Sequence, residues 1–285
     1  MPDPTRPDAD TRAACVIGYP VRHSRSPLIH QYWLRQKGIP GDYRVEEIPE
    51  ANFAQFVRQL RAQGYVGANV TIPHKETALA LSEPDDRARA VGAANTLWLE
   101  GDRLRSTNTD VEGFLSNLDT CAPGWDRDLQ AVAVLGAGGS ARGVIFGLLE
   151  RGARDVLVFN RTLAKAKALR ERFGQRVRPL PWEDLSAHLG DVDVLVNTTS
   201  LGMTGQPPLE INLGALRKRA VVSDLVYAPL KTALLVQAEQ HGLRTADGLG
   251  MLLHQAVRGF SLWFGVTPEV TAELRVLVER DLAQT

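Results

Sequence analysis

The chain has 285 residues, 44% of them hydrophobic and 23% charged, a composition that supports a packed core and excludes a disordered chain. This length favours two domains over one small core. Its 33 Lys and Arg balance 33 Asp and Glu, so no global field draws it to nucleic acid or an anionic membrane, and any anion site must be local.

Residues 1–12, MPDPTRPDADTR, are polar and rich in Pro and Asp, with no apolar stretch behind a basic start. They read as a frayed tail rather than a secretory signal. No apolar run reaches the roughly eighteen residues of a membrane span, which makes the cytoplasm the expected location. The two cysteines, Cys15 and Cys121, have no neighbour at CxxC or metal-ligand spacing, so reduced thiols and no metal are expected.

From Ala13 to about Asp110, short apolar runs alternate with helical ones: AACVIG, SPLIHQYWLRQKG, DYRVEEI, EANFAQFVRQLRAQG, VGANV and PHKETALALS. This rhythm predicts a mainly parallel sheet covered by helices. NTLWLE and DRLRST, separated by Gly101, predict a hairpin that ends the unit. A second α/β rhythm runs through AVAVLG, DVLVFN, DVDVLVNTTS and AVVSDLVY. Two amphipathic helices close the chain, the last predicted to be capped by Thr267 with Pro268 at its first position. No internal repeat is visible.

GAGGSAR follows an apolar strand and opens a helix, the setting a dinucleotide-binding turn needs. Gly136 permits the tight turn, Gly138 lets backbone N–H groups reach a pyrophosphate, and Ala141 fills the third small position. The next strand ends in Asn160, Arg161 and Thr162, with Lys165 one helical turn beyond Arg161. Arg161 offers a planar donor fork to a 2′-phosphate and Lys165 a second positive charge, with no acid at the strand end, so the pattern favours NADP over NAD. The alternative is a turn that merely caps the following helix.

Small polar residues crowd the strand ends of the first rhythm: Ser24 and Ser26, Asn69 and Thr71, Asn95, then Asn108, Thr109 and Asp110. Taken singly, each is an ordinary turn or cap residue. Following consecutive elements, they can converge on one hydroxyl-rich ligand at the carboxyl ends of the strands. Pro73 suits a first helical position and so places Lys75 in a first turn, where the helix dipole disfavours an ammonium. Asp110 is the natural partner, and such a pair performs the acid/base step that hydride transfer to a ketone requires. His23, His30 and His74 flank these motifs at no metal spacing and are expected to support them or lie on the surface.

These motifs, in this order, resemble the shikimate dehydrogenase family from about Ala13 to the final helices: HSRSPLIH, NVTIPHK, GAANT, NTDVEG, GAGGSAR, NTTSLGM, DLVYAPLKT and DGLGMLLHQA. The resemblance implies an α/β chain with a substrate domain over 13–110 and 247–285 and a Rossmann-type NADP domain over 111–246, the C-terminal helices returning to the first domain. It implies Lys75 and Asp110 as the catalytic pair. Substrate contacts would come from Ser24, Ser26, Thr71, Lys75, Asn95, Asp110, Tyr227 and Gln255. NADP would lie on Gly136, Ala137, Gly138, Gly139 and Ser140 and on Asn160, Arg161, Thr162 and Lys165, with Leu225 and Gly248 near the nicotinamide.

The implied reaction is reversible NADPH-dependent reduction of 3-dehydroshikimate to shikimate, in aromatic amino acid biosynthesis. Ser26, where quinate-preferring relatives tend to carry threonine, points to shikimate. Ala94 for a usual valine and Tyr19 for a common asparagine are the departures noticed. Rival readings are a quinate or amino-shikimate dehydrogenase of the same family and a shikimate-binding regulator, which would be expected to have lost Lys75 or Asp110. A related fold acting on folates would not carry HSRSP and NTDVEG. Monomer and homodimer are both compatible with the sequence.

Overall fold

A computed structural model describes residues 12–284, so the expected tail lies outside the described residues except for Arg12, which begins a strand. The chain divides into two compact units: residues up to Thr109 together with those from Ala256 onward, and Asp110–Gln255.

The first unit begins β1 (Arg12–Gly18), α1 (Ser26–Lys37), β2 (Gly41–Glu47), α2 (Glu50–Arg58), β3 (Tyr65–Val70), α3 (Lys75–Ala80), β4 (Glu83–Pro84), α4 (Asp86–Val91), β5 (Thr96–Glu100) and β6 (Arg103–Thr107). Its six strands lie in the order β2-β1-β3-β5-β6-β4. β1 pairs in parallel with β2 and β3, whereas β5 runs antiparallel to both β3 and β6. The hairpin therefore extends the sheet instead of merely ending the unit, and Gly101, at φ 56°, makes its turn. β1 is buried from its second residue on, the pattern of a central strand covered on both faces. Ala13, Cys15 and Ile17 pack with Phe53, Val57 and Leu60 from α2 and its end.

An aromatic cluster fills another part of this unit. His30 and Trp33 from α1 meet Tyr43 from β2 and Phe260 and Trp263 from the C-terminal segment, with His30 stacked on Tyr43 at 4.1 Å. Trp263 donates its indole N–H to the Leu97 carbonyl at 2.8 Å, and Gly67 has no side chain because a Cβ there would collide with that indole and that carbonyl. A mid-strand glycine is thus the condition for the chain's return to this sheet.

The second unit continues with α5 (Thr109–Cys121), whose first residue belongs to the first unit, then β7 (Ala131–Leu135), α6 (Gly139–Glu150), β8 (Asp155–Asn160), α7 (Leu163–Phe173), β9 (Val177–Pro181), α8 (Leu185–His188), β10 (Val194–Asn197), β11 (Val221–Asp224), α9 (Ala233–Gln240) and β12 (Arg244–Ala246). All six strands are parallel, in the order β12-β11-β10-β7-β8-β9. This is the doubly wound dinucleotide-binding arrangement. α10 (Gly248–Phe264) then crosses into the first unit, which α11 (Ala272–Leu282) completes.

Two predicted helix starts move. The last helix begins at Ala272, capped by Thr271, whose hydroxyl accepts from the Leu274 amide, and not at Thr267 and Pro268. The stretch before it is held extended where Trp33 donates to the Glu269 carbonyl at 3.0 Å. Likewise α3 begins at Lys75 with His74 as N-cap, leaving Pro73 in the preceding turn.

Of the flanking histidines, His23 is exposed while His30 and His74 are buried. Burial holds the His30 imidazole down at about 3, with Asn69 opposing the shift. The folded state therefore keeps His30 neutral while the unfolded chain protonates it below its ordinary 6.5, so stability falls as pH drops from 6.5 towards 3. This group alone should cost about 2 kcal/mol between pH 7 and pH 5. Urea unfolding at the two pH values should show a fall that shrinks by that amount in His30→Phe; an equal fall in both proteins would count against the neutral buried imidazole.

Candidate active site

The register of the first sheet brings the polar clusters to one edge. Ile17 pairs with Val70 at the carboxyl ends of β1 and β3, Asn69 with Thr96 at the start of β5, and Thr96 with Thr107 at the end of β6. The segments that follow those ends carry Ser24 and Ser26, then Thr71 and Lys75, and then Asn108 and Thr109, while Asn95 precedes β5. Thr71 donates its amide to Ile17, and Ala94 donates to the Lys75 carbonyl at 2.9 Å, so α3 starts beside the GAANT segment. Ser26 is buried and Ser24, Thr71 and Lys75 are partly exposed, with the Ser24 hydroxyl accepting from the Ser26 amide at 3.3 Å.

Beneath this edge lies a buried hydrogen-bonded layer. Asn69 accepts from the Tyr43 hydroxyl at 2.6 Å and donates to the Thr96 hydroxyl at 3.2 Å. Asn95 accepts from the Thr109 amide at 2.7 Å and from the Thr96 hydroxyl at 3.1 Å, and donates to the Thr109 hydroxyl at 3.0 Å. Asn108 donates to the Ala93 carbonyl at 2.9 Å. Most of the Asn95 carboxamide is thus engaged inside the unit, fixing the residue that begins α5. Tyr43 was not singled out from sequence, because a tyrosine in a strand reads as ordinary core.

In the second unit Gly136 turns at φ 100°, and a Cβ there would stand 2.8 Å from the Thr199 methyl. Gly138 is the N-cap of α6 and makes no side-chain cap bond; Gly138, Gly139 and Ser140 are exposed, and a Cβ on Gly138 or Gly139 would meet nothing within 4 Å. The first amides of α6 therefore face open space, which suits a pyrophosphate. Ala141 is fully buried beneath.

Beyond β8, Arg161, Thr162 and Lys165 are exposed or partly so, and neither cation makes an ion pair with another described residue. Thr162 occupies the N-cap position of α7 but its side chain accepts no cap bond, while Asn160 donates to the Thr162 carbonyl at 2.8 Å. A turn serving only to cap that helix would use the threonine hydroxyl. The two cations and the hydroxyl fit a 2′-phosphate.

Leu225 and Gly248 are neighbours, since a Cβ on Gly248 would strike the Leu225 carbonyl; Tyr227 lies on the same segment and is partly exposed. Asp110 sits in the first turn of α5. Gln255 lies on α10, packed so closely on α5 that a Cβ on Gly113 would come within 2.6 Å of its own.

Sequence reasoning missed Asp224, which ends β11 at 1% exposure. One of its oxygens accepts from Asn197 at 2.9 Å and the Val226 amide at 3.1 Å, the other from the Thr232 hydroxyl at 2.7 Å. Burial raises its pKa from the ordinary carboxylate value, opposed by Thr232, Val226 and Asn197. Its signal was present in an acid closing the apolar run AVVSD. Among the described residues no cluster of His, Cys, Asp and Glu could hold a metal, and no helix is long and apolar enough to cross a membrane.

An all-parallel doubly wound unit with an open glycine cradle and two unpaired cations at the next strand end, coupled to a second α/β unit with a polar strand-end edge, defines a nucleotide-dependent dehydrogenase. The comparisons narrow the class. Residues 16–97 match the shikimate dehydrogenase substrate binding domain, residues 125–203 shikimate/quinate 5-dehydrogenase, and residues 248–273 the shikimate 5′-dehydrogenase C-terminal domain. The shikimate dehydrogenase (NADP(+)) of Rhodopseudomonas palustris strain TIE-1 is 66% identical over 275 residues, covering 96% of this chain and 99% of that one. The crystal structure of shikimate 5-dehydrogenase from Thermus thermophilus in complex with NADP(H) and shikimate is 33% identical, with a TM-score of 0.82 over 96% of this chain and 99% of that one. The chain belongs to the shikimate dehydrogenase family.

Fold alone does not separate substrates within the family: quinate dehydrogenase from Corynebacterium glutamicum in complex with NAD gives a TM-score of 0.87 over 94% of this chain and 99% of that one, at 28% identity. The glycine cradle yields a test of its own. Gly138→Ala should change stability by no more than about 1 kcal/mol, because its methyl meets no protein atom. With a pyrophosphate seated on the first α6 amides, the same methyl should weaken NADP+ binding by roughly tenfold or more. Thermal unfolding and calorimetric titration would check both; intact affinity would mean that nucleotide does not approach Gly138.

Proposed function

We propose that this chain catalyses the reversible NADPH-dependent reduction of the ring ketone of 3-dehydroshikimate to shikimate, within the shikimate pathway. The observation that carries the reading is the strand-end edge of the first unit, where register places Ser24, Ser26, Thr71, Lys75 and Asn95 on segments that meet. An array of hydroxyls, a carboxamide and one ammonium suits a polyhydroxylated ring carrying a ketone. Relatives 66% identical over nearly the whole chain bear the name shikimate dehydrogenase (NADP(+)).

When bound, NADPH supplies the hydride. Gly136–Ser140 receive its pyrophosphate on the α6 amides, and Arg161, Thr162 and Lys165 its 2′-phosphate. Leu225 and Gly248 border the nicotinamide. Ser24, Ser26, Thr71, Asn95, Tyr227 and Gln255 bind and orient the substrate. The Lys75 ammonium hands its proton to the carbonyl oxygen as the carbon accepts hydride, and Asp110 orients both substrate and lysine. In the reverse direction neutral Lys75 takes the hydroxyl proton.

Three measurements test the assignment. Lys75→Ala should lower kcat by around 10²–10⁴-fold with NADP+ binding unchanged, and an unchanged rate would remove Lys75 from the mechanism. Arg161→Ala should raise the KM for NADP+ by about 10–100-fold, the worth of a charge-assisted bond, without a matching change in the KM for NAD+. Reduction of NADP+ by shikimate should far outpace reduction by quinate; the opposite order would overturn the substrate while leaving the nucleotide site in place.

A further inference from the structure

Asp224 is a buried acid whose polar neighbours all donate to it. One oxygen accepts from the Asn197 side-chain NH2 and the Val226 amide, and the Thr232 hydroxyl, which accepts from the Leu235 amide at 3.4 Å, donates to the second. Three donated hydrogen bonds on its two oxygens favour the carboxylate form against the cost of burial. No ion pair joins it to a cation among the described residues. A buried charge is ordinarily paired, because its desolvation is costly.

The surroundings say where a counter-charge would come from. Asn197 also donates to the Leu201 carbonyl at 3.1 Å and accepts from the Thr199 amide and hydroxyl, so it joins Asp224 to the loop that packs on Gly136. Leu225 follows directly in sequence, donates its amide to the Asn197 carbonyl at 3.0 Å, and packs its own carbonyl on Gly248. These are the residues to which the proposed function assigns the nicotinamide, and the inference rests on that assignment. The ring is a cation only in its oxidised form.

We infer that the Asp224 carboxylate is the fixed counter-charge of the oxidised nicotinamide, making the site bind NADP+ more tightly relative to NADPH than it otherwise would. Asp224→Asn keeps the shape and can keep the bonds to Asn197 and Val226 while removing the charge. A purely structural role predicts equal effects on both nucleotides.

The test is calorimetric titration of the unaltered full chain and of Asp224→Asn with NADP+ and NADPH, with Asp224→Ser used if the asparagine variant does not fold. The expected result is a roughly threefold or greater rise in the NADP+ dissociation constant relative to that of NADPH. Both constants unchanged, or both raised by the same factor, would overturn the counter-charge while leaving the nucleotide site intact. Failure of the unaltered protein to bind either nucleotide would overturn both this inference and the functional reading beneath it.

Discussion

The first unit depends on a single constraint: β3 must pair in parallel on one side and antiparallel on the other. Asn69 sits in that strand, opposite Val16 in β1 and Thr96 in β5. Because parallel neighbours end at the same edge and the hairpin starts and finishes there, four separate stretches of sequence arrive together without any long loop. A buried carboxamide layer then fixes them. Leaving any of those groups unpaired would cost about 1–3 kcal/mol, so the layer tolerates little displacement of the segments above it. The polar ligand groups are held by polar supports that are themselves satisfied.

The second unit solves the same problem by other means. Its strands are all parallel and apolar, and positioning falls to glycines where atoms approach too closely for a side chain. Gly136 against Thr199 and Gly248 against Leu225 set the loops proposed to border the nucleotide, while Gly113 and Gly250 let α5 and α10 close on one another. Asp224 and Asn197 form the buried polar hub between those loops. A rigid frame with an open cradle is what binding a large flexible nucleotide asks of a protein, since order supplied in advance is not lost on binding.

Much of this was legible in the sequence, and the exceptions have physical reasons. Apolar strands followed by small polar residues and then a helix announce themselves locally, which is why the Gly136 turn, the Arg161 strand end and the segments around Ser24, Lys75 and Asn95 could be placed. β9 escaped because Pro179 and Pro181 argue against a strand; it lies at the sheet edge, where a missing donor is tolerated. β12 and β4 are edge strands of three and two residues, too short to show a period. The start of the last helix was misplaced because Thr267 with Pro268 is as good a local signal as Thr271, and the Trp33 contact that decides between them is 236 residues away. Burial of His30, Tyr43 and Asp224 is likewise a property of the assembled unit.

The return of α10 has a consequence for synthesis. Residues 110–255 are contiguous, whereas the first unit lacks Phe260 and Trp263 until the segment beyond Gln255 is made. Until then the aromatic cluster around Trp33 is uncovered and the Leu97 carbonyl has no indole donor. The first unit is therefore built from two distant stretches of chain and cannot close its aromatic cluster before both exist.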